Sequence, residues 1–340
     1  MENWIKAETS FEDIVISSRV RLARNLKNYF FPNKLDTHKG REVVAIVEEA
    51  FYKSAYMEEN FKSIYMWDND DITNKSFLEK HLISDKLIIN KDRAAFIKDS
   101  NETINIMINE EDHLRLQCIV GGLNLKEAYN EINKIDNLLE ESLDFAYDKD
   151  LGYLTTCPTN VGTGLRASVM VHLPALTKSG AIDGMINMLS KMGLTIRGLF
   201  GEGSKGYGNI YQISNQVTLG PSEEEIIDNL LAVINNIISE EKSAREKYMK
   251  SYENETKDSI MRSLGILRYA NVITSKEALN LLSYVRLGVE VGIIKDIDKK
   301  LLNSLMVDIL SSTMQLKAGL TMSEKERDIK RAEIIRNSFK

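Results

Sequence analysis

The residues best placed to do chemistry are three consecutive carboxylates. Glu110, Glu111 and Asp112 lie in the stretch Asn109-Glu-Glu-Asp-His-Leu-Arg115, with a guanidinium four residues beyond Glu111. The run before them, Ile104-Asn-Ile-Met-Ile108, has β-branched residues at every second position. After them, polar His113, Arg115 and Gln117 alternate with apolar Leu114, Leu116 and Cys118. Both patterns are those of strands, so the carboxylates sit at a strand–strand junction. Alone, such a triplet reads as a solvated acidic turn. Four more arginines change the balance: Arg19, Arg21, Arg166 and Arg197 each sit in or directly after a strand pattern with apolar neighbours. Arginines gathered in one cleft are costly to desolvate unless they meet an anion. A polyphosphate suits them, because guanidinium forks match phosphate oxygens bidentately. The chain has no Walker A sequence and no protein-kinase set of Lys, HRD and DFG signatures. A nucleotide site here is therefore an arginine cage, with Mg²⁺ bridging the phosphates. The carboxylates then indicate the acceptor. A guanidinium has a pKa above about 12 and is a poor nucleophile until a proton leaves. Glu111 and Glu202 could hold one in line and take that proton.

The elements that must carry these groups follow from periodicity. Residues 14–22 read as a strand with Arg19 and Arg21 on one face and Val20 and Leu22 on the other. The spacing predicts helices over 39–56 and 126–147. The stretch Cys157-Pro-Thr-Asn-Val-Gly-Thr-Gly-Leu-Arg166 is a shaped loop leading into a strand whose polar face begins at Arg166. Cys157 by itself reads as a small buried hydrophobe, and His81 as a surface histidine. A strand carrying Arg197 enters a loop with glycines at 201, 203, 206 and 208. Gly201-x-Gly203-x-x-Gly206 has dinucleotide-motif spacing, but that motif must open a helix, and residues 209–214 read as another strand. The segment is a flap whose only carboxylate is Glu202. From Ser222, which opens a capping box with Glu225, a long helix runs to about Lys250. Residues 251–257 read as a polar hinge. Helices follow over roughly 258–271, 275–293, 297–317 and 323–338.

Composition limits the function. The 340 residues are 43% hydrophobic and 28% charged, those of an ordinary globular chain. A net charge of −6 argues against a general nucleic-acid or membrane-surface binder. Two cysteines imply no disulfide framework, and with no signal-peptide pattern the expected location is cytoplasmic.

Ser17-Ser-Arg-Val-Arg21, the Asn109–Arg115 stretch, Cys157-Pro-Thr-Asn160, Gly162-Thr-Gly-Leu-Arg166 and Arg197-Gly-x-x-Gly-Glu202 together resemble the ATP:guanidino phosphotransferases, the creatine and arginine kinases. The chain departs from those enzymes at both ends. They carry a helical domain before the Ser-Ser-Arg motif, whereas this chain has a helical C-terminal region containing Arg327-Asp-Ile-Lys-Arg-Ala332. In that it resembles the bacterial protein-arginine kinase branch. The resemblance implies an α+β architecture: a glutamine-synthetase-like catalytic domain over 1–250, an antiparallel sheet backed by helices, plus an all-helical C-terminal domain over 251–340. It implies that Ser17, Ser18, Arg19, Val20, Arg21, His81, Arg115, Arg166, Ala167, Ser168, Val169, Met170, Arg197, Gly198, Leu199, Phe200, Gly201 and Glu202 line ATP. Glu111 becomes the base, Glu202 the second guanidinium clamp, Cys157 a thiolate beside the reactive group, and Glu110 a reach to Mg²⁺ through water. Arg327, Asp328, Ile329, Lys330, Arg331 and Ala332 become an allosteric phosphoarginine pocket, with Asp328 and Arg331 on neighbouring surface positions. The implied activity is phosphorylation of protein arginines, on a heat-shock repressor and misfolded proteins, marking them for the ClpC–ClpP protease in a stress response. An McsA-like activator and a homodimer come with it. The competing expectations are a phosphagen kinase acting on free arginine and a phosphoarginine-binding adaptor.

Overall fold

The computed structural model describes residues 3–7, 14–199 and 206–340. Strand β1 (Val15–Arg24) is followed by helices α1 (Thr37–Phe51) and α2 (Ala55–Asn60), strand β2 (Phe61–Tyr65), and helices α3 (Asp71–Glu79) and α4 (Asp85–Ile89). Strands β3 (Ala95–Asp99), β4 (Ile104–Ile108) and β5 (Leu114–Gly121) form a meander, followed by α5 (Leu125–Glu140) and a two-residue ribbon, β6 (Tyr147–Asp148) with β7 (Gly152–Tyr153). Strand β8 (Leu165–His172), helices α6 (Pro174–Lys178) and α7 (Ala181–Lys191), and strands β9 (Leu194–Gly198) and β10 (Ile210–Asn215) complete the sheet. It is eight-stranded, ordered β2-β3-β4-β5-β1-β8-β10-β9, with every pairing antiparallel.

Alternation gives the sheet two unlike faces. Val20, Leu22, Leu116, Cys118, Ala167, Val169 and Ile213 point to one side. There they share a core with Val43 and Val47 of α1, Ile132 and Leu139 of α5, and the long α8 (Glu223–Ser251), through Leu230 and Ile234. The opposite face is polar along its middle. Near β5, β1, β8 and β10 it supplies Ile119, Ile16, Met170 and Ile210 to a second core. That core is otherwise built by Trp4 and by α9 (Glu253–Tyr269), α10 (Ser275–Glu290), α11 (Lys299–Asp308) and α13 (Glu324–Ser338). Asn303 of α11 donates to the Trp4 carbonyl at 3.3 Å, so the chain's first described residues belong to the helical region's packing.

Four helix expectations need correction. The helix expected over 126–147 ends at Glu140, and Tyr147 already belongs to β6. The helix expected over 39–56 ends at Phe51, because Ser54 caps a new one by accepting from Met57 N–H at 3.3 Å. The polar segment 251–257 is not an extended hinge: only Tyr252 separates α8 from α9. The helix expected over 297–317 breaks into α11 and α12 (Ser311–Ala318). Its second half starts where Glu79 of α3 accepts from the amides of Ser312 and Thr313 at 2.8 and 2.6 Å, a cap supplied by a residue far away in sequence.

Candidate active site

Strand register collects the arginines. Arg21 stands opposite Gln117 of β5 and Arg166 of β8, and Arg19 opposite Ser168. Arg115 is opposite Ala23, and Arg197 opposite Gln212, which is itself opposite Met170. Directly opposed residues share a face. Arg19, Arg21, Arg115, Arg166 and Arg197 thus lie on one side of four strands, β5, β1, β8 and β9, with Gln212 of β10 between the last two. Arg19 donates through Nη2 to Gln212 Oε1 at 2.6 Å and through Nε to Ser168 Oγ at 3.4 Å. Nε of both Arg21 and Arg166 is buried without a partner among the described residues.

The charges show the strain of this grouping. Burial, followed by the positive fields of Arg115 and Arg166, brings the Arg19 guanidinium down to about 10. Burial and the same neighbours, with Arg19 added, hold Arg21 well below the ordinary arginine value. Arg166 is lowered by burial and by Arg115 and Arg197, while Cys157 and Glu111 act in the opposite sense. His81 has φ 62°, and its carbonyl accepts from Gln117 Nε2 at 2.8 Å. Burial and then Arg19 push its imidazole down to about 3, so it is neutral near pH 7.

The carboxylate hairpin is tied down at each residue. Asn109, at φ 59°, donates through Nδ2 to the carbonyls of Gly40 and Arg93, both at 2.8 Å. Glu110, 2% exposed, accepts from Arg115 Nη1 with both oxygens at 2.8 Å, from Glu111 N–H at 2.8 Å and from Ser84 Oγ. Asp112 Oδ1 accepts from Asn25 Nδ2 at 2.7 Å and from Thr156 N–H at 2.6 Å. That second bond fastens the hairpin to the loop that presents Cys157. His113 is structural: Nδ1 accepts from Leu26 N–H at 3.1 Å and Nε2 donates to Phe30 O at 3.0 Å, and burial brings it down to about 4. Cys157 Sγ lies 3.0 Å from Thr159 Oγ1. Gly164, just before Arg166, has φ 66°, and a Cβ there would stand 2.6 Å from the Ala23 carbonyl. The turn that starts β8 beside β1 therefore needs glycine.

Not every expected residue faces the arginines. Ser18, Val20, Ala167 and Val169 alternate to the other side, where Ser18 Oγ donates to Gly122 O at 2.8 Å and the three apolar residues join the first core. Ser17 and Met170 share the arginine face opposite one another, with Met170 packed into the second core. Gly198 pairs with Tyr211, and Leu199 N–H donates to Ile210 O at 3.0 Å. Phe200, Gly201 and Glu202 lie outside the described residues. Four groups escaped the sequence reading: Gln212, Ser84, Lys86 and Asn25. Strand alternation over 209–214 could have flagged Gln212. Nothing local marks the others.

In the C-terminal motif, Arg331 is 2% exposed and is not on the surface as expected. It donates to Ile309 O at 2.8 Å and Ile273 O at 2.9 Å, and pairs with Asp328 three residues earlier. Arg327 donates to Met322 O at 3.2 Å, Lys330 pairs with Glu333 at 3.1 Å, Ile329 is exposed and Ala332 is buried.

This geometry meets two family matches. Residues 42–244 match the ATP:guanido phosphotransferase C-terminal catalytic domain, and residues 253–340 match the protein-arginine kinase McsB C-terminal domain. The chain belongs to the ATP:guanido phosphotransferase family, in its protein-arginine kinase branch. It is 55% identical over 343 residues to a protein-arginine kinase of Clostridium kluyveri, covering 100% of this chain and 99% of that one. To the protein-arginine kinase of Clostridium novyi it is 52% identical over 340 residues, with 100% and 99% coverage. Among solved structures, lombricine kinase matches with TM-score 0.59 and 26% identity over 70% of this chain and 69% of that one. A taurocyamine kinase of Schistosoma mansoni with bound transition-state analog components shares the fold at TM-score 0.61 and 20% identity, covering 87% and 50%. The fold is thus that of the guanidino kinases, with a helical region added after it.

Proposed function

We propose that this protein transfers the γ-phosphoryl group of ATP to arginine side chains of proteins. The observation that carries the reading is the arginine face of the sheet, with its unpartnered Arg21 and Arg166 nitrogens beside the salt-bridged Glu110–Glu111 hairpin. Cations crowded until their own pKa values fall are stabilised by a bound polyphosphate. Arg19, Arg21, Arg115, Arg166, Arg197 and the neutral His81 would hold ATP, and Mg²⁺ would neutralise charge on its phosphates. Glu110 is committed to Arg115 and Ser84, so its part in binding the ion runs through water, and its direct work is to aim Arg115. Among the described residues no three His, Cys, Asp or Glu side chains gather to hold a metal ion.

Glu111 orients the incoming guanidinium and takes its proton as a guanidino nitrogen bonds to the γ-phosphorus and the bond to ADP's oxygen breaks. Glu202 is the second clamp, and Cys157, on the loop held through Thr156 and Asp112, is a sulfur neighbour for the cation. Such transfer is mostly positioning and electrostatics. We divide the chain into a catalytic domain over 1–250 and a helical domain over 251–340. We assign Asp328 and Arg327 the phosphoarginine-sensing role, with Arg331 bracing the pocket from inside. Substitution at Arg327, which donates to the Met322 carbonyl, is then the cleaner probe, because Asp328 also pairs with the buried Arg331. The wider setting rests on the family resemblance: a cytoplasmic homodimer acting in stress response, an McsA-like activator, substrates among misfolded proteins and a heat-shock repressor, and delivery to ClpC–ClpP. No described helix is long and apolar enough to cross a membrane.

The test is incubation with Mg-ATP and an arginine-rich protein, with free arginine in a parallel reaction. Acid-labile, base-stable phosphate on the protein is expected. Product on free arginine alone would support the phosphagen-kinase reading, and phosphate only on Ser, Thr or Tyr would reject both.

A further inference from the structure

Glu111 already holds a cation. Its Oε1 accepts from the ammonium of Lys86, on the short helix α4. That helix is built onto the hairpin that carries Glu111. Ser84, its N-cap, donates to Glu110 Oε1. Asn90, its C-cap, donates through Nδ2 to the carbonyls of Asn109 at 3.1 Å and Glu110 at 2.7 Å. The backbone thus delivers Lys86 to this carboxylate from a fixed origin, while the lysine side chain stays 53% exposed against 19% for Glu111. Glu111, Glu110 and Cys157 all favour the charged form of the lysine, with the bond to Glu111 the largest influence.

We infer that Lys86 is a resident competitor for the substrate guanidinium, one that sets the threshold for cation binding at Glu111. This rests on the reading of Glu111 as the carboxylate that receives the substrate. The two cations need the same oxygen. An ammonium is a point charge with three rotatable donors, whereas a guanidinium presents a planar fork that uses both carboxylate oxygens. An incoming arginine therefore gains over the resident, and Lys86, on its exposed stem, withdraws into water at little cost. A substrate lysine must displace the same resident and, as a point charge, gains less from the carboxylate. Once phosphorylated, the guanidino group has lost its full positive charge and holds Glu111 less tightly. Lys86 then returns, which favours release of product.

The experiment compares the parent, Lys86→Met and Lys86→Arg on arginine peptides at saturating Mg-ATP, with the matching lysine peptides as inhibitors. Lys86→Met should lower KM for arginine about three- to fivefold and strengthen lysine-peptide inhibition by a similar factor, with kcat within about twofold, the scale of a partly exposed ion pair. Lys86→Arg should leave KM at or above the parent's. Amine-selective acetylation of Lys86, mapped by mass spectrometry, should be faster in Glu111→Gln and in the parent with bound arginine peptide. If Lys86→Met left KM and lysine inhibition at parental values while the parent made phosphoarginine, this inference would fall and the kinase reading would stand. A parent that made no phosphoarginine would bring down both.

Discussion

Arg21 and Arg24 lie three residues apart on one strand, in opposite surroundings. Arg24 points to the apolar side, where it is 2% exposed. It meets Asp136 at 2.6 Å, donates to the carbonyls of Ala23 at 2.9 Å and Thr163 at 3.0 Å, and lies 3.5 Å above the Tyr153 ring. Arg21 points to the other side, among four more arginines, with its Nε unpartnered. The same contrast recurs elsewhere. Arg245 of α8 joins Glu241 at 2.7 Å and Glu290 of α10 at 2.8 Å, linking the sheet body to the helical region, and Arg331 is paired with Asp328. A buried arginine supplied with its own carboxylate is part of the framework. One left among like charges is what the proposed nucleotide site would use. Partner supply, more than burial, separates the two classes.

The sharpest way to break this comparison is to remove one arginine of each class. Arg24→Ala strands the Asp136 carboxylate and should cost about 3–5 kcal/mol of stability, the usual scale for halving a buried pair. Arg21→Ala relieves repulsion and should leave stability within about 1 kcal/mol or raise it, while weakening ATP binding about tenfold or more. Denaturant unfolding and titration calorimetry read the two effects, and equal losses of stability would erase the distinction. Next in size, Glu111→Gln should lower kcat by about two orders of magnitude or more with ATP affinity nearly intact, since a positioned base acts in the transition state. Loss of ATP binding with kcat unchanged would move Glu111 into the cage. Third, ATP at a hundred times its Kd should stabilise the parent by about 2.7 kcal/mol. Thermal scans should show that gain reduced in Arg21→Ala and Arg166→Ala but kept in Arg327→Ala.

The smallest effect concerns the paired class. Glu290 faces Arg245, Arg286 and His172, yet burial outweighs the two arginines and pushes its carboxyl up to about 7, while burial and then those arginines keep His172 neutral. The folded state then keeps a proton that the unfolded chain releases near its ordinary value of 4.5. Between those pH values Glu290 makes the folded form hold an extra proton, so its own contribution to stability should fall as pH rises, whereas the neutral His81, His113 and His172, which the unfolded chain protonates below about 6.5, act in the opposite sense. Glu290→Gln should therefore steepen the rise of stability with pH relative to the parent. An unchanged profile would mean that the pair is charged throughout and as well satisfied as Arg24 with Asp136.

Much of the site was legible from the sequence because strand alternation is a local property. Arg19 against Val20, Arg115 against Leu116 and Arg166 against Ala167 each declare a polar and an apolar face without reference to anything distant. The capping box at Ser222 and the cap at Thr274 were legible for the same reason: donor and acceptor lie within four residues. Tertiary structure decided what depends on residues far apart in the chain. Register between β1, β5 and β8 turned separate arginines into one surface. Packing of α4 on the hairpin brought Lys86 to Glu111. Glu79 divided one expected helix into two by capping it from 233 residues away. Arg331 looked like a surface residue because its spacing to Asp328 is that of an ordinary helix pair. The carbonyls of Ile273 and Ile309, which bury it, come from segments that meet only after the helical region has folded. A charge's type and its face are written locally, whereas its partner, and so its role, is set by the fold.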